Sequence, residues 1–321
     1  MLIHETSYHL VNGSFVDFTI TIYFTDEVSL SGLNIEAGGN STLSLCGIRI
    51  LRSSYADIND VLVNKGHNGI CIDGGTHNKI SSSTIKDNLE MGIRLREDGG
   101  VTADYTTIEN TTIKNNRVGI FANQGGDYST IYNNTISNNG IGIKIDRASS
   151  ITISYNTIKE NDGGSDTAGL WLQDGSQHNI RYNNLSNNRN GIHTWYIGGE
   201  GPNDLTLIGN IINDNEDDGI VIGQDSKNWS LWNNTIKENG DYDIHFSSTG
   251  STGHRSVNTE FDTISVNSES SLTIREYVVL DVNDASGNNM SGIDIKVTEN
   301  SLQKYASSYF GGSDSKTDSY G

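Results

Sequence analysis

Apolar residues along this chain come in short strokes at alternate positions, separated by polar corners rich in asparagine and glycine. The stretch Ile131–Ile145, IYNNTISNNGIGIKI, shows the unit: Ile131, then Ile136, then Ile143 with Ile145. The arrangement recurs in INDVLVNKGHNGICI up to Ile72, IENTTIKNNRVGIFA up to Ala122 and LIGNIINDNEDDGIVI up to Ile222. Aligning the middle stroke gives Val63, Ile85, Ile113, Ile136, Ile158, Leu185, Ile212 and Ile236. Aligning the third stroke on the residue after glycine gives Ile70, Ile93, Ile120, Ile143, Leu170, Ile192 and Ile220, with Ile244 following Asp243 instead. Successive anchors lie 22 to 28 residues apart. A repeat of that length built from period-2 alternation is a coil of three short strands, and one coil buries its apolar side chains only against neighbours above and below. The expected fold is therefore all-β: a single-stranded parallel β-helix of eight or more rungs, stacked roughly 4.8 Å apart. The Leu-x-x-Leu-x-Leu frame of leucine-rich repeats and the 3.6-residue period of helical repeats are both missing.

Asparagine repeats in the same phase. It stands three residues after the middle anchor at Asn88, Asn116, Asn139, Asn161, Asn188, Asn215 and Asn239, and two before it at Asn134, Asn156, Asn183, Asn210 and Asn234. A corner asparagine tolerates left-handed backbone, and stacked copies can pass amide hydrogen bonds from rung to rung. Mere asparagine richness would not hold one phase over seven rungs.

These Asn-Thr-Ile…Asn…Gly-Ile rungs, over roughly residues 28–250, resemble the right-handed parallel β-helix proteins of the pectate-lyase-like superfamily. Archaeal and bacterial cell-surface β-helices and the periplasmic accessory proteins of nitrous oxide reductase are the members most similar in appearance. The resemblance implies the right-handed coil and little about activity, because the fold carries lyases, hydrolases, epimerases, adhesins and plain stalks. Residues 1–27 read as an N-terminal cap or partial rung, 28–250 as the helix and 251–273 as a linker or C-terminal cap. Residues 274–321 resemble the opening of a carboxypeptidase-regulatory-like or Ig-like β-sandwich, with Asp281, Gly287, Gly292 and Ile295 approximating its first hairpin. An incomplete sandwich implies a fragment of a longer, multidomain surface protein.

Charge narrows the partners. Lys and Arg total 21 against 40 Asp and Glu, a net charge of −19, which repels nucleic acid and anionic membrane. No 18-residue apolar run offers a membrane span, and the first residues, MLIHETSYHLVNG, lack the basic start and apolar core of a signal peptide. The two cysteines fall about three residues apart laterally on adjacent rungs, near 10 Å in a flat sheet, which is too far for a disulfide. Cys46 is expected to face inward and Cys71 outward. No His-x-His or Cys-x-x-Cys occurs, so no cofactor or transition metal is expected. Calcium chemistry is conceivable among Asp162, Asp166, Asp214, Glu216, Asp217 and Asp218, but solvated acids are the commoner reading.

Candidate chemistry gathers on the third stroke. Its outward positions are Cys71, Arg94, Phe121, Lys144, Trp171, His193 and Val221, then Asp73, Arg96, Asn123, Asp146, Gln173, Trp195 and Gly223. Three insertions, Arg96–Tyr105, the segment after Ile158 and Trp195–Asp204, are expected to wall this face. Aromatic rings beside acids and bases suit sugar rings and hydroxyls, so Arg94, Arg96, Phe121, Arg147, Trp171, Trp195 and Tyr196 are candidate substrate contacts. For a lyase or epimerase, Lys144, Arg147 or His193 would serve as base and Arg94 or Arg96 would neutralise a uronate. For a glycosidase the pair would be Asp146 with Asp174. The catalytic candidates are thus Lys144, Asp146, Asp174 and His193. Polygalacturonase and alginate-epimerase signatures are absent, the sole proline being Pro202. The favoured reading is an extracellular or cell-surface protein with a structural, carbohydrate-interacting role and a polysaccharide or surface glycan as partner. A polysaccharide lyase, epimerase or glycoside hydrolase on the same face is the alternative, and a periplasmic metal-handling accessory protein is the third.

Overall fold

The computed structural model describes residues 2–3, 9–16, 19–37, 45–165, 167–195, 201–275, 286, 296–299 and 302–306, and falls into two units, Met1–Arg275 and Glu276–Gly321. The first is the expected parallel solenoid. Its third strokes form a twelve-stranded parallel sheet that includes Cys46–Leu51, Asn68–Asp73, Met91–Arg96, Val118–Asn123, Ile141–Asp146, Ala168–Gln173 and Asn190–Trp195. The anchors stand in one register, from Ile70 through Ile93, Ile120, Ile143, Leu170 and Ile192 to Ile220 and Ile244. All of them are fully buried, as are their counterparts in the first and middle strokes. At roughly 1.5–3 kcal/mol for each buried isoleucine, this column is the main source of stability.

The first and middle strokes ladder separately, and their origin is visible at the N-terminal end. Ser29–Glu36 is one continuous strand, and the next rung answers it with two, Asp57–Asn59 and Leu62–Asn64. The break between those two is Asp60, at φ 53°. Every later rung keeps that corner, with a left-handed residue at Ser82, Asn110, Asn133, Tyr155 and Tyr182.

The ladder asparagines do one of the two jobs expected of them. They are not the left-handed residues; that conformation falls on the residue just before each, as at Asn115, Asn138 and Glu160. The ladder residue instead turns its amide inward. Asn139, for example, donates from its backbone N–H and its Nδ2 to Asn161 Oδ1 at 3.0 Å each. Its own Oδ1 accepts the same pair of bonds from Asn116. A second ladder runs Asn134, Asn156, Asn183, Asn210 and Asn234. Corner backbone groups that face the core are thus satisfied without water.

The solenoid outruns its expected end. In residues 251–273, expected as a linker or C-terminal cap, His254–Val257, Glu260–Phe261 and Ile264–Ser265 continue the three ladders, and Leu272–Arg275 adds one strand more. The signal was lost in sequence because these strokes carry Ser256 and Phe261 where earlier rungs carry isoleucine or leucine, and Thr263 where they carry glycine. In the second unit the described strands are an antiparallel pair, Lys296–Glu299 with Leu302–Ala306. The remainder of the expected sandwich, Asp281, Gly287, Gly292 and Ile295 included, lies outside the described residues.

One core column predicts an acid response. His178 is 1% exposed, accepts the Ile151 N–H on Nδ1 at 3.3 Å, and burial depresses its pKa to about 4. His254, stacked later in the same column, accepts the Trp229 N–H and is likewise depressed to about 4, chiefly by burial. Unfolded histidine takes a proton near pH 6.5, so between about 6.5 and 4 the unfolded chain binds protons that the folded one refuses. Stability is therefore full above that window and falls as pH drops through it, by up to roughly 3 kcal/mol per histidine. An earlier rung carries Asn78 at this position, whose Oδ1 accepts the Ala56 N–H at 2.9 Å. His178→Asn should flatten the pH dependence of the urea midpoint between pH 7 and 4.5; an unchanged slope would refute this assignment.

Candidate functional site

The outward face of the third-stroke sheet is bent, and glycine bends it. In Val118–Asn123 the residues Val118, Gly119 and Ile120 are all buried, so in–out alternation breaks at the glycine. A Cβ on Gly92 would lie 2.6 Å from the Gly119 carbonyl oxygen and 2.9 Å from Asn116 Nδ2, which leaves no room for a side chain at this rung. The residue before the glycine and the residue after the isoleucine therefore face each other across a concave groove. Cys46 and Cys71 show the consequence. Their Cα atoms are 6.0 Å apart and they form a disulfide, against the expectation that they would be too distant and point opposite ways. The lateral offset was right; the flat sheet was wrong.

Further along, the groove has a volume of about 350 Å³, with Met91, Val118 and Ile141 on one wall and Phe121, Lys144 and Trp171 on the other. Arg117 and Glu90, joined at 2.8 Å, sit at its rim. Of the three insertions, the one after Ile158 reaches the groove, through Gly163 and Thr167. The Arg96–Tyr105 insertion folds instead over the neighbouring corner, where Asp98 pairs with Arg52 at 2.7 Å and Asp104 accepts the Gly126 and Asp127 N–H groups. The Trp195–Asp204 insertion is described at Trp195 and again from Gly201, where Pro202 accepts the Trp229 indole N–H.

The expected face residues do come together, but not as expected. Lys144 Nζ lies 5.7 Å from the Phe121 ring centre and 5.0 Å from that of Trp171. His193 stacks on the other side of Trp171, centroids 5.5 Å apart and planes 9° from parallel, and Trp195 follows at 6.1 Å. Rungs about 4.8 Å apart place planar side chains at one position at stacking distance. The Trp171 faces are therefore covered and its edge is what solvent meets, so sugar rings cannot lie flat on it as the sequence suggested. Trp195, 45% exposed, keeps an open ring surface. Tyr196 lies outside the described residues.

Charge is equally committed. Burial lowers the Lys144 pKa, against the opposing pull of Asp146. Asp146 accepts from Arg147 Nε at 3.0 Å and from Gln173 Nε2 at 3.2 Å. Arg94 and Arg96, expected to meet a substrate carboxylate, both bind Asp73, with Arg94 Nη2 at 2.9 Å and Arg96 Nε at 2.7 Å; Arg49 joins them at 2.6 Å. Among the acids weighed for calcium, Glu216 and Asp217 pair with Arg189, Asp218 pairs with His245, and Asp166 lies outside the described residues. No three His, Cys, Asp or Glu side chains converge as a metal site among the described residues.

Among the described residues, the buried polar atoms on or beside this face without a partner include Trp171 Nε1, Asn123 Oδ1, one Asp174 oxygen and Arg94 Nε. Sequence reasoning named Trp171 and Asp174 but missed Arg49, Arg117 and the buried role of Asp73, because each depends on the bend. It also missed an exposed ring stack at another corner, Tyr55, His77, Tyr105 and Tyr128, with centroids 5.1, 4.9 and 5.1 Å apart. All four are left-handed and stand three residues before a first-stroke anchor, so column alignment would have found them.

Comparison with known proteins agrees with the coil. A family described as the right-handed β-helix region matches residues 46–200. Among solved structures, the mannuronan C-5 epimerase AlgE4 A-module of Azotobacter vinelandii is similar at TM-score 0.58 and 15% identity, over 84% of this chain and 82% of that one. The Dettilon tailspike protein reaches 0.58 at 13% identity, over 84% and 61%. The DFA-IIIase of Arthrobacter chlorophenolicus A6 reaches 0.57 at 10%, over 87% and 83%. No curated protein sequence matches the chain. At these identities the likeness is one of fold, and the solenoid of residues up to Arg275 is a right-handed parallel β-helix.

Proposed function

We propose that the bent face binds a glycan, laid along the groove between the Met91–Val118–Ile141 wall and the Phe121–Lys144–Trp171 wall. The observation that carries this reading is Trp171 Nε1, a buried indole N–H on the groove wall without a partner among the described residues. A buried polar atom without a partner costs about 1–3 kcal/mol, and a hydroxyl of a polyhydroxylated chain supplies the missing acceptor. That AlgE4 is a mannuronan C-5 epimerase, on a like fold, supports a polysaccharide as ligand. The Cys46–Cys71 disulfide supports an oxidising, extracellular location.

A catalytic reading has one specific support: burial moves Lys144 toward the range of a working base. Its weakness is the acids, since Asp146 is held by Arg147 and Gln173. Binding is therefore the conclusion.

Trp171→Phe keeps the stacked ring and deletes the indole N–H. Retention on a bound glycan, measured by affinity electrophoresis over a panel of neutral and acidic polysaccharides, should weaken about fivefold to tenfold, the worth of one hydrogen bond. Equal retention in parent and variant would sink the groove as the site. New reducing ends or unsaturated uronate that disappear in Lys144→Ala would replace binding by catalysis.

A further inference from the structure

At the N-terminal end of the same face lies a second hollow, of about 270 Å³, lined by Thr19, Thr21, Leu45, Cys46 and the guanidinium groups of Arg49, Arg94 and Arg96. Beneath it is Asp73, fully buried, whose two oxygens accept five bonds from those three arginines. Its acceptor capacity is used up by them. One arginine suffices to neutralise one carboxylate, and each additional cation adds repulsion. Burial and the neighbouring Arg96 both work against the Arg94 charge, with Asp73 alone opposing them, and Arg94 Nε finds no acceptor. Arg49 and Arg96 keep 34% and 40% of their side chains exposed to the hollow and the solvent beyond. On a molecule of net charge −19, three cations to one anion in a walled hollow is a local reversal of sign. As the counterion of Asp73 alone, the cluster is larger than its task.

We propose that this hollow is an anion subsite, taking a carboxylate or sulfate group of an acidic polysaccharide that continues along the groove. The inference rests on the glycan reading and narrows it to polyanionic chains. Register supports continuity: Arg94 pairs with Phe121, and Phe121 with Lys144, so the hollow and the Lys144 ammonium stand two rungs apart, about 10 Å. One chain running parallel to the axis meets both. The disulfide forms part of the wall of the hollow and holds its two sides together.

The test uses the whole chain and three probes: polygalacturonate, which carries only carboxylates, dextran sulfate, which carries only sulfates, and neutral dextran. Arg49→Gln with Arg96→Gln leaves Arg94 on Asp73 to hold the fold, and thermal unfolding checks that it does. The parent should bind at least one polyanion more tightly than dextran, with affinity falling as salt rises. The double variant should bind that polyanion about tenfold more weakly, having lost two charge-assisted contacts, and bind dextran unchanged. Arg96→Gln alone should show an intermediate loss and serves if the double variant unfolds. Which polyanion responds identifies carboxylate or sulfate. Affinity for both polyanions within twofold of the parent in these variants, or parental binding to dextran as tight as to either polyanion, overturns the subsite while leaving the groove intact. Absence of parental binding to all three probes overturns the glycan reading, and the subsite with it.

Discussion

Asn139→Ala is expected to destabilise the solenoid by on the order of 4 kcal/mol, more than removal of most single apolar side chains. Asn139 is 2% exposed; its Oδ1 accepts two bonds from Asn116, and the two N–H groups of its Nδ2 are shared among Asn161 Oδ1, Ile113 O and Ser137 O. Alanine leaves donors and acceptors in two adjoining rungs without partners, in a space closed to water. At about 1–3 kcal/mol for each group stranded, two or three account for the estimate. The neighbouring Asn138→Ala is the control. Asn138 is left-handed, at φ 55°, and its exposed amide bonds only Glu160, so backbone strain of about 1 kcal/mol is the main loss expected. Urea midpoints at constant slope measure both. If Asn139→Ala falls within 1 kcal/mol of the parent, the ladder is decoration and the isoleucine column alone holds the rungs.

The second large effect is at Asp73. Asp73→Asn preserves shape but removes the one negative charge beneath three guanidinium groups, and a buried charge cluster deprived of its partner loses roughly 3–5 kcal/mol. Burial by itself would raise the Asp73 pKa, yet Arg94, Arg96 and Arg49 together hold it below its ordinary value. Its contribution is therefore present above the unfolded carboxyl range, near pH 4, and is lost as pH falls through the lower folded value. The variant should be weaker at neutral pH and lack that acidic limb. Added sulfate should recover part of the lost stability in Asp73→Asn more than in the parent, because an anion entering the hollow now faces three uncompensated cations. Equal salt response in both proteins would count against any anion affinity there.

Much of this was legible in the chain. Isoleucine spacing placed every strand of the central rungs in register, because period-2 alternation fixes which residues of each stroke point inward. Phase-locked asparagines located both ladders residue by residue. The columns of outward residues were also correct, and Lys144, Trp171, His193 and Trp195 do stand in sequence along one face. What those columns do to each other was not legible. Trp171 was read as a platform for sugar rings and is instead sandwiched between Lys144 and His193. Arg94 and Arg96 were read as neutralisers of a substrate carboxylate and are fastened to Asp73. Asp146 was read as a catalytic carboxyl and is bonded to Arg147 and Gln173.

The cysteines mark where local pattern stops. Sequence by itself determined the repeat, the inward and outward sides of each stroke and the positions that share a column, since all three depend on spacing along one strand. Tertiary structure alone decided which columns face each other. A glycine without room for a Cβ lets the strand fold where stacked carbonyls and asparagine amides crowd the corner. That single bend brings Cys46 to Cys71, closes the walls of the groove and gathers three arginines around Asp73. Each of those contacts joins residues from different rungs, at distances set by backbone curvature, and curvature arises only when the rungs are packed.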